Sequence, residues 1–528
     1  MTATLRVAVA TDRQVVRWQA RCVEALAAVP GVTLERWIQT SSAGRRRRAG
    51  ADAGALDPVP VPDVLCVLST DDAATSNPTI AASSRRVDIL LDLTSQGLAS
   101  SMPGAAEVWR YGYGPALSRD PDRAALIEYV RGSGVTRVGL VSESTGIIIR
   151  EGWLQTVSWW TGAPLGRLLL DPVDWPATSA MIRTDPAFAT GTVQHRVALP
   201  ARSARDTEPP DPSAGIPRSV LEVGAAARRM LGWFDVLARH PDWAIGIIAA
   251  PIERILEAGE EPDIDWLPGI PGRYAADPFG VERDGVLHVL FEEFDQRRAK
   301  GHISHVAIDR SGSVSGATPV LAPGSHVSYP FLVQHEGAVY MLPEVAEAGE
   351  LVLYEATDFP YGWRPAVTLL PGVHAVDASV VEFEGRWWMF ASRLDRGPNQ
   401  NLFVWHAPEL TGPWTPHDAN PVKTDARSAR SGGTPFISGG RLYRPSQDSS
   451  RSYGGRLIVN RVEVLTASAF EERRVRVIEP RKGSRYPDGL HTLSAAGGRT
   501  LVDGKVLHFV KDAARLNVLS KVAGRRSS

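Results

Sequence analysis

The stretch Pro278–Glu293, PFGVERDGVLHVLFEE, joins two apolar strand runs through an Asp-Gly turn, and the chain goes on to repeat it. PFLVQHEGAVYMLPEV (330–345), SVVEFEGRWWMFASR (379–393), PFISGGRLYRPSQD (435–448) and RTLVDGKVLHFVKD (499–512) have the same form. Their turn glycines are Gly285, Gly337, Gly385, Gly440 and Gly504, spaced 52, 48, 55 and 64 residues apart. A glycine behind a polar residue supplies the positive φ that a two-residue hairpin turn requires. Units of about 40–50 residues, each with room for four short strands, are the pattern of a propeller. A β-helix repeats over far fewer residues, and a sandwich does not repeat. Residues 243–515 are therefore expected to form an all-β, five-bladed β-propeller.

The chain upstream has a different rhythm. Leu5–Ala10 (LRVAVA), Val32–Ile38, Val64–Leu68, Val87–Leu93 and Val138–Val141 read as strands. Asp12–Ala28, with Asp12 as N-cap, and Asp122–Arg131 carry helical spacing. Strands that are apolar on both faces and separated by helices imply a mostly parallel sheet covered on both sides. This predicts an α/β domain over 1–198. Leu199–Arg218 is rich in Pro, Ser and charge and reads as a linker. Ser219–His240 returns to helical periodicity, so 199–242 reads as linker plus bridging helix, with 516–528 as a disordered tail.

Bulk properties exclude several classes. A net charge of −1, with 43% hydrophobic and 22% charged residues, fits a soluble globular chain with no field to attract nucleic acid. The run Arg45–Arg48 reads as a solvated loop. Two cysteines, Cys22 and Cys66, are too few for a disulfide framework and read as core thiols. No apolar stretch reaches the ~18 residues of a spanning helix, and the first residues are not a leader, so a cytoplasmic location is expected. ATDRQ follows the first strand where a dinucleotide site needs a Gly-rich loop, and no ligand spacing specifies a metal. Neither cofactor nor metal is expected.

Aligning the repeats brings polar residues into register. Just ahead of the first strand of each unit stand Asp277, Tyr329, Asp377, Arg430 and His491; seven residues beyond four of the turn glycines stand Glu292, Glu344, Ser392 and Gln447, with Asp448 beside the last. Strand-opening positions converge on one mouth of the central channel, and five unlike polar residues there suggest a site more than a scaffold. Each also has a structural reading: Asp277 as a turn cap, Glu344 as a strand end, Arg430 as partner of an aspartate, His491 as a core histidine, Gln447-Asp448 as a strand-end cluster. Carboxylates in a funnel suit glycosyl chemistry, where one group takes a proton from the attacking hydroxyl or water and another stabilises the leaving group. Asp277, Asp377 and Glu344 are the catalytic candidates. Tyr329, Arg427, Arg430, Arg444, Gln447, Asp448 and His491 are the binding candidates, and guanidinium groups suit the phosphates of a nucleotide sugar. The aromatic residues Trp387, Trp388, Trp405, Trp414, Tyr443 and Tyr453 could stack on sugar or fill the core.

YAADPF with its Asp-Gly hairpin resembles the five-bladed glycosidases, whose first-blade aspartate base would match Asp277. SHVSYPFLVQHEGAVYMLPE, LYEATDFPYGW, NPVKTDARSARSGG, RLYRPSQDSSRSYGG and GLHTLS together resemble the N-terminal propeller domain of plant glucosamine inositolphosphorylceramide transferases. That resemblance covers about Trp243 to Val510. It implies a role in sugar transfer for surface polysaccharide or glycolipid assembly, with a lipid-linked acceptor and a peripheral site at the inner membrane face. A family-43-like hydrolase and a non-catalytic glycan-binding module are the alternatives. LRVAVA, VDILLDL and VGLVSESTGIIIREGW resemble the Rossmann-type formyltransferase fold. That family's Asn-His-Asp set is missing, since residues 1–194 hold no histidine and one asparagine, Asn77.

Overall fold

In the computed structural model of the chain, the described residues are 4–12, 14–40, 87–94, 105–156, 171–184, 215–257, 262–269, 272–295 and 300–509. The expected strand at Val64–Leu68 with Cys66, the arginine run, Asn77, the linker through 214 and the tail lie outside them. The chain divides into two compact units, 1–229 and 230–528.

The first unit is a six-stranded sheet. Its elements are β1 (Leu5–Asp12), α1 (Arg17–Ala27), β2 (Val32–Thr40), β3 (Val87–Asp92), β4 (Ala105–Tyr113), α2 (Pro121–Arg131), β5 (Val135–Ser142), β6 (Ile147–Gln155) and α3 (Trp175–Thr184). α4 (Arg218–Ala238) follows. The strand order is β2-β1-β3-β4-β5-β6. β1 pairs in parallel with β2 and β3, and β3 with β4, whereas β5 runs antiparallel to both β4 and β6. The sheet is thus mixed: three of its five pairings are parallel, as expected, and β5 alone runs against the other strands. Only Glu143–Gly146 separates β5 from β6, too short a link for a crossover, and Gly146 turns there at φ 70°. Asp12 ends β1 and does not cap the helix. The Gln19 side chain instead accepts the Val16 N–H at 3.0 Å ahead of α1. Cys22 packs in the core with Val7, Val9, Leu91 and Trp175, and burial pushes its thiol up.

The second unit is the five-bladed propeller. Blade one is a sheet of Arg273–Arg283, Val286–Asp295, Lys300–Ile308 and Thr318–Leu321. Blade two runs from Ser328–His335 out to Gly362–Pro371, and blade three begins with Ala375–Phe383 and Arg386–Arg393. Blade four contains Phe436–Ser438, Arg441–Asp448, Arg456–Leu465 and Phe470–Ile478. Blade five mixes the two ends of the unit: Leu493–Ala496 pairs with Arg499–Phe509, which pairs with Arg239–Ile248, which pairs with Asp265–Trp266. The ring closes through the register Thr500↔Ile248 to Phe509↔Arg239.

Hairpin turns sit where the glycines place them in four blades. Asp284-Gly285, Glu336-Gly337, Glu384-Gly385 and Gly439-Gly440 have positive φ at both central residues, as a type I′ turn demands. The fifth differs. The turn is Gly497-Gly498, and Gly504 lies inside the strand Arg499–Phe509. Measured to Gly498, the last spacing shortens from 64 to 58 residues. Gly504 is needed for space: a Cβ there would stand 2.2 Å from Trp266 Cη2 and 2.8 Å from Tyr486 Cβ.

The first three inner strands share a second device. Asp277, Tyr329 and Asp377 have φ of 51°, 46° and 50°. The ladder slips one residue at each. These are β-bulges with a left-handed residue that is not glycine, each costing about 1–2 kcal/mol, and such strain clusters at functional sites.

Gly504→Ala should lower stability by about 1–3 kcal/mol through overpacking. Gly498→Ala, with open space at its Cβ position, should stay within about 0.5 kcal/mol. Urea midpoints at constant slope decide between a strand and a turn at 504.

Candidate functional site

A bulge lifts a backbone N–H out of its ladder, and a buried N–H must find another acceptor. Asp277 N donates to Asp503 Oδ2 at 3.1 Å, and Asp377 N donates to Glu344 Oε2 at 3.0 Å. In both cases the acceptor is a carboxylate from the preceding blade around the ring. Bulges and acids are thereby tied together at the mouth of the channel. A cavity of about 240 Å³ opens there, lined by Asp277, Glu292, Glu344, Asp377, Arg430, His491, Trp243, Tyr274, Phe294, His326, Ser328 and Tyr453.

On one wall, Asp503 accepts the N–H groups of His491 and Thr492 on Oδ1 at 2.9 and 3.0 Å. Its Oδ2 takes the Asp277 N–H and pairs with His491 Nδ1. His491 Nε2 then points to Asp277 Oδ1 at 3.7 Å, and Thr492 Oγ1 donates to that same oxygen at 2.8 Å. The imidazole is clamped between Trp243, stacked at 4.0 Å, and the edge of Tyr453 at 5.3 Å. Gly454 makes this possible, since a Cβ there would lie 2.7 Å from Trp243 Cη2 and 2.9 Å from His491 Cβ. Asp277, His491 and Asp503 bring ligand atoms within 4.8 Å of one another. With both Asp503 oxygens filled by donors, the trio is a chain of ion pairs through His491 and not a cation cage.

On the opposite wall, Arg430 Nε donates to Asp377 Oδ2 at 2.6 Å, and Gln447 Nε2 donates to the same oxygen at 2.8 Å. Arg430 also reaches Asn399 Oδ1 at 3.1 Å and lies over the Tyr453 ring at 5.0 Å. Glu292 stands between the walls with His326 Nε2 3.7 Å away. His326 Nδ1 accepts the Gly301 N–H at 3.0 Å, so its proton sits on Nε2 and faces Glu292.

Crowding buried acids raises their affinity for protons. Burial, then Asp377 and Asp503, push Asp277 up to about 6 against the lowering influence of His491. Burial and then the neighbouring carboxylates push Glu292 and Glu344 well above the usual range. Burial would also raise Asp503, but the charge and hydrogen bonds of His491 outweigh it and hold that carboxyl low. For His491 burial opposes the charge, and Asp503 with Asp277 more than offsets it. Three acids of the cavity are thus held above the usual carboxylate range, while Asp503 behind it is held low by His491.

The structure brings Asp277, Glu344, Asp377, Arg430 and His491 together, with Gln447 beneath Asp377. It places the other candidates away from the cavity. Tyr329 is fully buried, its hydroxyl bonded to Ser379 Oγ at 2.9 Å and to the Gly433 backbone. Arg427 forks onto Asp425, Arg444 is buried on Glu472, and Asp448 holds Arg456. Trp387, Trp388 and Trp405 are core, and Tyr443 stacks on Phe436. Glu292, in register with Glu344 seven residues past its turn glycine, carries a repeat signal that could have found it. Trp243, Tyr274 and Asp503 carry none, and Asp503 was hidden in a dipeptide that reads as a turn. A larger recess of about 320 Å³ between blades four and five is lined mainly by apolar residues such as Ile248, Trp266, Ile478 and Val502.

A carboxyl whose folded value lies above its unfolded one stabilises the protein below the unfolded value. That contribution is lost as pH rises through the folded value. For Asp277 the window runs from about 4 to about 6. The change is on the order of 3 kcal/mol. Wild type should lose stability relative to Asp277→Asn between pH 4 and 7, as read from urea midpoints across that range.

Residues 265–496 match the family described as "Glucosamine inositolphosphorylceramide transferase 1, N-terminal". The protein of that name from Oryza sativa subsp. japonica is 33% identical over 251 residues, 45% of this chain and 34% of its own. The one from Arabidopsis thaliana is 33% identical over 213 residues, 39% of this chain and 28% of its own. The match therefore spans about a third of these relatives' length. Among solved structures, a family 117 glycoside hydrolase of Zobellia galactanivorans aligns at 11% identity and TM-score 0.32, over 52% of this chain and 91% of that one. An exo-β-1,3-galactanase of Clostridium thermocellum aligns at 12% and 0.31, over 40% and 53%. Over residues 265–496 this chain is similar to the N-terminal domain of the glucosamine inositolphosphorylceramide transferases, the family its propeller motifs resemble.

Proposed function

We propose that the propeller cavity binds a sugar and carries out acid–base assisted glycosyl transfer in polysaccharide or glycolipid assembly. The observation that carries this reading is the set of carboxyl groups held at different protonation states around one small cavity, which is how acid and base roles are divided. Asp277, at about 6, is the base. Its Oδ1 is occupied by Thr492, and Oδ2 remains to take the proton of an attacking hydroxyl. Glu344, pushed well above the usual range by burial and Asp377, is the acid that gives its proton to the leaving oxygen as the glycosidic bond breaks. Asp377, fixed by Arg430 and Gln447, is the charge that faces a developing oxocarbenium ion.

Binding favours a sugar without phosphate in this cavity. Arg427, Arg430 and Arg444, the guanidinium groups suited to a nucleotide sugar, each hold a carboxylate: Asp425, Asp377 and Glu472. A phosphate at Arg430 would have to compete with Asp377 at 2.6 Å. The same pairing supports a second reading, hydrolysis, in which water replaces the acceptor hydroxyl. The relatives' name supports transfer, and a lipid-linked acceptor at the membrane face is part of the same proposal. For the α/β domain we propose a binding or docking role without formyl chemistry, because residues 1–194 hold no histidine for that chemistry to use.

Thermal shift with neutral oligosaccharides, nucleotide sugars and free nucleotides tests the reading. A ligand at about 100 times its Kd adds about 2.7 kcal/mol. Neutral glycans should stabilise the wild type, and Asp277→Asn should keep binding while turnover falls by about 100-fold or more. Full turnover in Asp277→Asn removes Asp277 from the mechanism. Stabilisation by nucleotides that is lost in Arg430→Ala would move the donor's phosphates into the cavity.

A further inference from the structure

Asp503 is fully buried, yet it meets four donors drawn from two blades: the N–H groups of Asp277, His491 and Thr492, and His491 Nδ1. We propose that Asp503 is the positioning residue of the cavity: it holds His491 with Nε2 turned to Asp277, and through His491 fixes the direction and charge of the Asp277 carboxylate. Asp503 does not line the cavity, so it acts on a ligand only through those two residues.

The geometry leaves the ring little choice. Trp243 covers one face, Tyr453 meets it edge-on, and Gly454 lets the Tyr453 loop close down. With Nδ1 on Asp503, Nε2 must face Asp277. The same Asp503 carboxylate receives the bulge N–H of Asp277, so backbone and side chain of the base are oriented by one group. A carboxylate that fixes ring and tautomer of an imidazole, whose other nitrogen does the work, is the logic of a catalytic triad.

The other charged groups around Asp277 come from every blade. Glu292 lies on the next strand of its own blade, Glu344 on blade two, Asp377 on blade three, and Arg430 with Tyr453 on blade four. Lys505, on the Asp503 strand, lies 5.3 Å from the far ring, Trp243. Among those that act on Asp277, His491 is the leading charge that lowers it, and Asp377 and Asp503 raise it. Two opposite effects therefore run from Asp503 to Asp277. Direct repulsion raises its affinity for a proton, while support of the His491 cation lowers it by more.

This gives a test by sign. The midpoint of the stability difference between each protein and its Asp277→Asn counterpart reports the titration of Asp277 without any ligand. In Asp503→Asn the imidazole loses its anion, and the midpoint should move up from about 6. In a His491→Phe background, where only direct repulsion is left, the same substitution should move it down. His491→Phe alone, which keeps a ring against Trp243, should move it up. The same direction in both backgrounds, or no movement in either, overturns the proposal.

Should Asp503→Asn not fold, ¹⁵N-histidine spectra of the wild type decide, with His491 assigned from His491→Phe. The proposal requires a cationic ring above the ordinary histidine value of about 6.5; titration at or below that value overturns it. A role in turnover rests on the sugar-transfer reading, but these readouts need no sugar, so either idea can fail without the other.

Discussion

The site depends on a backbone constraint: three inner strands leave their ladders at a residue that is not glycine. Each bulge frees an N–H in a dry interior, and two of those groups are met by carboxylates from the neighbouring blade. An unmet N–H there costs about 1–3 kcal/mol, on top of the left-handed strain. Asp503 and Glu344 therefore hold the bulges in place while the bulges hold them at the channel mouth. Tyr329 makes the equivalent turn in blade two, but its hydroxyl is spent on Ser379 and Gly433. That bulge braces the ring, and Tyr329 itself adds no polar group to the cavity.

Burying several acids together has an electrostatic consequence that a single buried acid lacks. Each ionised neighbour makes the next ionisation harder. The cavity settles this by giving Asp377 a guanidinium and Asp503 an imidazolium, while Glu292 and Glu344 are pushed up toward the neutral form. Asp277 lies between the two regimes, close to His491 and close to Asp377. An acid poised in that way exchanges protons near neutral pH, as general base catalysis requires.

Much of this was legible in the sequence, and the reasons differ by residue. Asp284-Gly285 and Glu336-Gly337 are readable because a type I′ turn imposes a local requirement on two adjacent residues. Asp277 and Asp377 are readable because the repeat puts them in register ahead of their strands. The arginines show the limit of residue type as a guide. Arg444 reads as a phosphate ligand until Glu472, on the blade's outer strand, takes it within the core. A guanidinium meets whichever carboxylate the fold supplies, and strand register decides which. The mixed sheet of the first unit was hidden for a similar reason: an apolar run shows that a strand is buried, not which way it runs.

Asp503-Gly504 makes the same point within a single dipeptide. Asp284-Gly285 and Asp503-Gly504 both lie between apolar runs, and local chemistry makes each a hairpin turn. In blade five, however, Gly497-Gly498 supplies a turn earlier, and the strand from Arg499 to Phe509 must stay extended to pair with Arg239–Ile248. A turn at 503 would leave the first strand of the propeller without its partner and the ring open. Closure wins because it satisfies a whole ladder, and Gly504 then serves by lacking a side chain beneath Trp266. Extension of that strand buries Asp503 and brings its carboxylate to His491 and Asp277. The carboxylate that orders the cavity is therefore placed only when the two ends of the propeller pair, and closure of the ring and assembly of the site are one event.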